Sequence, residues 1–100
     1  MMNLVILYQY ENEFAKAEAL LAEMREQYPN DYRIPMRQAF LETDIQSHLD
    51  NEKRNYSKTY EYYNQAKELY RKNVKPGEAD AEMQQLDAII QQLRDNKWIE

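Results

Sequence analysis

The side chains that could do chemistry are few. His48 is the only histidine, and the chain has no cysteine. Without cysteine there is no disulfide, no thiol nucleophile and no thiolate metal site. A lone histidine has no second ligand or base partner at fixed spacing, as a metal site or an acid–base pair needs. The single glycine is Gly77, so there is no glycine-rich phosphate loop. Acid pairs such as Glu11 with Glu13, and Asp80 with Glu82, suit turns and first helical turns. The expectation is a non-enzyme with no cofactor and no metal. One pair stands out for binding. Arg33 and Arg37 fall one helical turn apart near the start of an expected helix, where the positive end of the helix favours anion capture.

The bulk numbers narrow the class further. One hundred residues make about one small domain. With one Gly and three Pro, few turns can use left-handed backbone, which favours helices over hairpin-rich β-structure. Net charge is −5, with 18 acids against 13 bases. Lys53-Arg54 and Arg71-Lys72 are too little for a nucleic-acid interface, which needs several cations on one face. The apolar start, 1–7, has no positive flank and no small-residue cleavage site. It fits neither a signal peptide nor a span of about 20 apolar residues, so no membrane partner is expected. Absence of cysteine is compatible with a reducing cytoplasm, and a cytoplasmic setting is the expectation.

The elements that must position these groups centre on 4–29. Leu4, Leu7 and Tyr8 step by three and four, as one helical face does, and Val5 and Ile6 widen that face so that it needs cover on more than one side. Glu11-Asn12-Glu13 is the expected turn. Phe14, Ala17, Leu20, Leu21, Met24 and Tyr28 then fall within roughly 120° of a wheel, an amphipathic helix. Pro29 ends it, because the residue before proline is pushed out of the α region.

These residues resemble a tetratricopeptide repeat, a helix–turn–helix unit of about 34 residues with Leu-Gly-x2-Tyr, Ala-x3-Phe and Pro at set offsets. The matching positions are Leu4-Val5-x2-Tyr8, Ala17-x3-Leu21 and Pro29, with Phe14 opening the second helix. Val5 replaces the small residue and Leu21 the aromatic one. In this register the first repeat, 1–31, starts about three residues before Met1, so it is expected to be N-terminally truncated and part of a longer array.

Asp31 is the expected N-cap of a third helix, from about Arg33 to Leu49, with Pro35 in its first turn. Ile34, Ala39, Leu41, Ile45 and Leu49 are its apolar positions, and Ala39 holds the small position of the family. A polar break, 50–55, carries an insertion of about eight residues against the repeat period. The helix after it, from about Tyr56 to Asn73, is rich in tyrosine over half its wheel. That width fits packing against two neighbours, with Tyr60 and Tyr62 at the margins. This second repeat is 32–74. A last amphipathic helix, 78–95, is expected to cap the stack, with Ala79, Met83, Leu86, Ile89, Ile90 and Leu93 inward and Trp98 and Ile99 folding back on its end. With the resemblance, the expected fold class is all-α, with antiparallel helical hairpins stacked as a right-handed solenoid of about two repeats plus a capping helix, about five helices in all.

The resemblance implies that the first helices of successive repeats line a concave groove. Its positions here are Asn3, Ile6, Gln9, Tyr10, Arg33, Met36, Arg37 and Phe40. Some members hold peptide C-termini with Asn, Lys and Arg at such positions, onto which Asn3, Arg33 and Arg37 fall. The implied function is a protein–protein interaction scaffold that holds a peptide or helix of a partner protein. The alternatives are a structural or homo-oligomerisation element, in which this groove or the tyrosine-rich helix pairs with a second copy, and a regulatory appendage of a larger signalling enzyme. Residues 28–33 resemble helical-repeat tails of some bacterial signalling proteins, including serine/threonine kinases.

Overall fold

The structure is a computed structural model and describes residues 2–74 and 80–99. Five α-helices follow one another: α1 (Met2–Tyr10), α2 (Phe14–Gln27), α3 (Arg33–Ser47), α4 (Ser57–Asn73) and α5 (Ala81–Asp95). A 3₁₀ turn, Asn51–Lys53, lies between α3 and α4, and no strand occurs among the described residues. Ala79, part of the expected last helix, and the Lys75-Pro76-Gly77 turn signal lie outside the described residues.

The turns follow from local chemistry. Asn12 ends α1 in the left-handed region, with φ 62°. The Asn12 N–H reaches Gln9 O at 3.1 Å and the Glu13 N–H reaches Tyr8 O at 2.8 Å, so two orphan carbonyls are satisfied at once. Asparagine tolerates this backbone better than most side chains. At the start of α3 the cap lies one residue later than the sequence suggests, at Tyr32. Asp31 still serves that end, because its carboxylate accepts the Arg33 N–H at 3.0 Å. The extra residues after α3 build a loop. Arg54 closes it by donating to Leu49 O and Ser47 O, each at 2.8 Å, which satisfies carbonyls at the helix end.

α3 is the middle of the molecule because it has two apolar faces. On one side Ile34 and Leu41 join Val5 of α1 and Ala17, Leu21 and Met24 of α2 in a buried cluster. On the other, Met36 and Ala39 join Tyr56, Ala66, Met83, Leu86, Ile90 and Leu93. Ala39 and Ala66 are fully buried and small, which lets α3 and α4 approach closely. Val5 is fully buried as well. Tyr60, Tyr62, Tyr63 and Tyr70 are partly buried against the second cluster. Tyr28, expected on the inner face of α2, is instead 55% exposed beyond the helix end. Leu49 likewise lies past α3 and is exposed.

Side-chain bonds fix which helices lie side by side. Gln9 near the end of α1 bonds to Asp44 near the end of α3, and Arg37 near the start of α3 pairs with Glu82 at the start of α5. α1 and α5 therefore both lie against α3. α4 and α5 are joined where Tyr63 donates to Asp87 at 2.7 Å and Lys67 pairs with the same carboxylate at 3.0 Å. The radius of gyration is 13.4 Å, close to the ~13 Å expected of a compact chain of this length. Among the described residues no helix is long and apolar enough to cross a membrane.

Candidate functional site

α1 is apolar nearly all round, yet only Val5 is buried. Leu4, Ile6 and Leu7 are 41–48% exposed and Tyr10 is 87% exposed. No residue of this helix carries a charge. A helix of this kind normally needs cover on several sides, and α2 and α3 supply only part of it. The exposed side chains face away from Val5, as a 3.6-residue turn requires.

Two hollows lie beside this face. The first holds about 210 Å³ and is lined by Ile6, Gln9, Tyr10, Arg37 and Asp44. The second holds about 410 Å³, with Met2, Met24, Met36, Ile34 and Tyr28 as its apolar lining and Asp31, Arg33, Arg37 and Glu82 as its polar lining. Arg37 lines both, so they adjoin. From Met2 to Gln9 is two turns of α1, which sets the hollows roughly 10 Å apart along the helix.

The expected groove residues are therefore split. Ile6, Gln9, Tyr10 and Arg37 come together in the first hollow, and Arg33, Met36 and Arg37 in the second. Asn3 is exposed and lines neither. Phe40 lines neither; it is partly buried against the α3–α5 cluster, with the Arg37 guanidinium over its ring at 5.2 Å. Met36 is a correction to the expected exposed groove face. It is only 2% exposed and packs with Met83 and Leu86, because α5 covers that side of α3.

The two arginines are already matched by acids of the chain. Arg33 holds Asp31 in a fork, Nε to Oδ1 at 3.0 Å and a terminal nitrogen to Oδ2 at 2.8 Å. These bonds hold the Asp31 carboxyl below its usual value and raise that of Arg33. Arg37 is mostly covered and pairs with Glu82, while its Nε is buried without a hydrogen-bond partner. A carboxylate ligand meets no unmatched guanidinium at either position.

Asp44 was missed by the sequence reading, although it was accessible there. It stands seven residues after Arg37, two helical turns along the same face. Its Oδ2 accepts from Gln9 Nε2 at 3.2 Å, and the Gln9 Oε1 is buried with no donor. His48 caps the end of α3, its Nδ1 2.8 Å from Asp44 O and its ring edge-on to Phe14 at 5.3 Å. Among the described residues no group of three His, Cys, Asp or Glu side chains converges to hold a metal.

Away from α1, a second polar cluster ties three helices. The Tyr32 hydroxyl donates to Asp80, whose other oxygen accepts the Glu82 N–H at 2.9 Å and the Met83 N–H at 3.4 Å. The Asp80 N–H reaches the Tyr70 hydroxyl at 3.2 Å, and the Tyr32 and Tyr70 rings meet edge-on at 4.9 Å. Burial and the bond to Asp80 push the Tyr32 phenol up to about 12. The same bond, with the two backbone N–H groups, holds Asp80 below its ordinary value. Every group here is turned onto another of the same chain, which makes it a structural tie. Comparison with family models, with curated proteins and with solved structures finds no match for this chain.

Proposed function

We propose that this chain is a non-catalytic interaction module, a stack of tetratricopeptide-like helical hairpins that holds a segment of a partner protein along α1 and α3. The observation that carries this reading is the exposure of Leu4, Ile6, Leu7 and Tyr10 on a helix without a single charge. Interface centres are depleted of charge and rich in aromatic and aliphatic side chains. Apolar area left in water is a standing cost of about 25 cal/mol per Å², recovered when a partner covers it. The adjoining hollows give that partner two places to seat side chains.

The test is affinity capture with three proteins side by side: the parent, Ile6→Ser/Tyr10→Ser, and a control altered on the outer face of α5, Gln85→Ser/Gln92→Ser. A partner retained by the parent and the control but lost by the α1 variant, at unchanged helix content, supports the reading. Equal capture by all three overturns it. Light scattering across concentrations addresses the other occupant of the same face, a second copy of the chain: a mass that doubles with concentration and stays single in the α1 variant replaces partner binding with self-association.

A further inference from the structure

We infer that the partner segment presents a basic side chain to the hollow between the ends of α1 and α3, its cation on Asp44 and its aliphatic stem along Ile6 and Tyr10. The inference rests on the interaction-module reading above and names the chemistry of its ligand.

Four observations converge on that hollow. Asp44 takes part in none of the ion pairs among the described residues; its carboxylate is met there only by the neutral Gln9 amide. Arg37, which shares the lining, has a terminal nitrogen on Glu82 and makes no ion pair with Asp44. Gln9 Oε1 has no donor, and an incoming ammonium or guanidinium supplies one as the amide turns toward it. Tyr10 is 87% exposed, so its ring is open to a cation stacked on its face, while Ile6 offers apolar surface to the methylene stem. The chain as a whole carries −5, which draws a basic segment in from a distance. An acidic segment meets the opposite conditions: Asp44 repels it, and Arg37 in the lining already holds Glu82.

The experiment selects binders to the intact chain from a library of random peptides displayed on phage, then measures the best peptides by calorimetry. The expected result is enrichment of Lys or Arg beside apolar residues. Kd should rise about tenfold in Asp44→Asn, which keeps an acceptor for Gln9 and removes the charge, and further in Asp44→Lys. Glu68→Gln on the outer face of α4 should leave Kd unchanged, and rising salt should weaken binding in the parent more than in Asp44→Asn. Selected peptides that are acidic or uncharged, or that bind Asp44→Asn as well as the parent, overturn the inference. If such peptides still fail on Ile6→Ser/Tyr10→Ser, the groove stands and only the basic assignment falls. If no peptide is enriched, both fall.

Discussion

α1 and α5 flank the same central helix and are built in opposite ways. α5 buries Met83, Leu86, Ile90 and Leu93 and turns its polar side to water. Its start is capped by Asp80, and its end is closed by Lys97 in the left-handed region with φ 63°. There the Lys97 N–H bonds Arg94 O at 3.0 Å, the Trp98 N–H bonds Leu93 O at 2.8 Å, and the Trp98 ring meets Tyr56 edge-on. α1 buries one residue and leaves four large apolar side chains in water. The difference separates two tasks. α5 completes the core of this chain, and α1 offers a surface that the chain does not complete by itself.

The largest expected effect tests that division directly. Leu86→Ala, at a site with no exposure, should cost about 2–5 kcal/mol in urea unfolding. Leu7→Ala, at a site 48% exposed, should stay within about 0.5 kcal/mol. Comparable losses at the two sites break the contrast, because α1 would then be as much a part of the core as α5.

Next in size is the tie at the start of α5. Asp80→Ala removes a cap and the acceptor of the Tyr32 hydroxyl, and should cost about 1–2 kcal/mol. Its pH dependence has two edges. Asp80 is depressed in the folded chain, so its contribution is present above the ordinary carboxyl value of 3.8 and lost as pH falls through the lower folded value. Tyr32 is raised, so its contribution is present below 10.0 and lost as pH rises toward about 12. Urea midpoints across pH should show a smaller acid loss in Asp80→Asn and a smaller alkaline loss in Tyr32→Phe. Asp31 and Tyr63, which are shifted in the same directions, carry the remainder. Profiles in both variants that match the parent would remove the tie as a source of stability.

The smallest effect sharpens the account of the α5 end. Lys97→Gly relieves a side chain in left-handed backbone and should stabilise by about 0.5 kcal/mol, read as a small rise in Tm. A loss of stability would show that the Lys97 side chain contributes more than its backbone costs.

Much of the helical layout was legible because it is written in local rules. Pro29 and the polar residues at 11–13 and 50–55 separate α1 to α4 at nearly the observed places, and the inner positions of α5 repeat with helical period. The fold-back of Trp98 and Ile99 could be read too, since two apolar residues after a helix need a core to join. The side of α3 that Met36 shows could not be read, because it depends on where α5 settles. The pairing of Arg37 was hidden for the same reason: its partner Glu82 is 45 residues away. Arg33 and Arg37 look like a free cationic pair in one dimension and become two closed ion pairs in three.

By itself the sequence determined which segments coil into helices, where they stop, and that the first of them has more apolar surface than one contact can cover. These follow from periodicity, proline, turn residues and charge, all of them local. Only the tertiary structure decided which of those surfaces stay open. It left Ile6, Leu7 and Tyr10 in water, closed the arginines onto acids, and left Asp44 without a cation among the described residues. The physical reason is that the exposure of α1 and the pairing of Arg37 with Glu82 belong to elements distant in the chain, whereas Asp31 and Arg33, two residues apart, sit in one stretch.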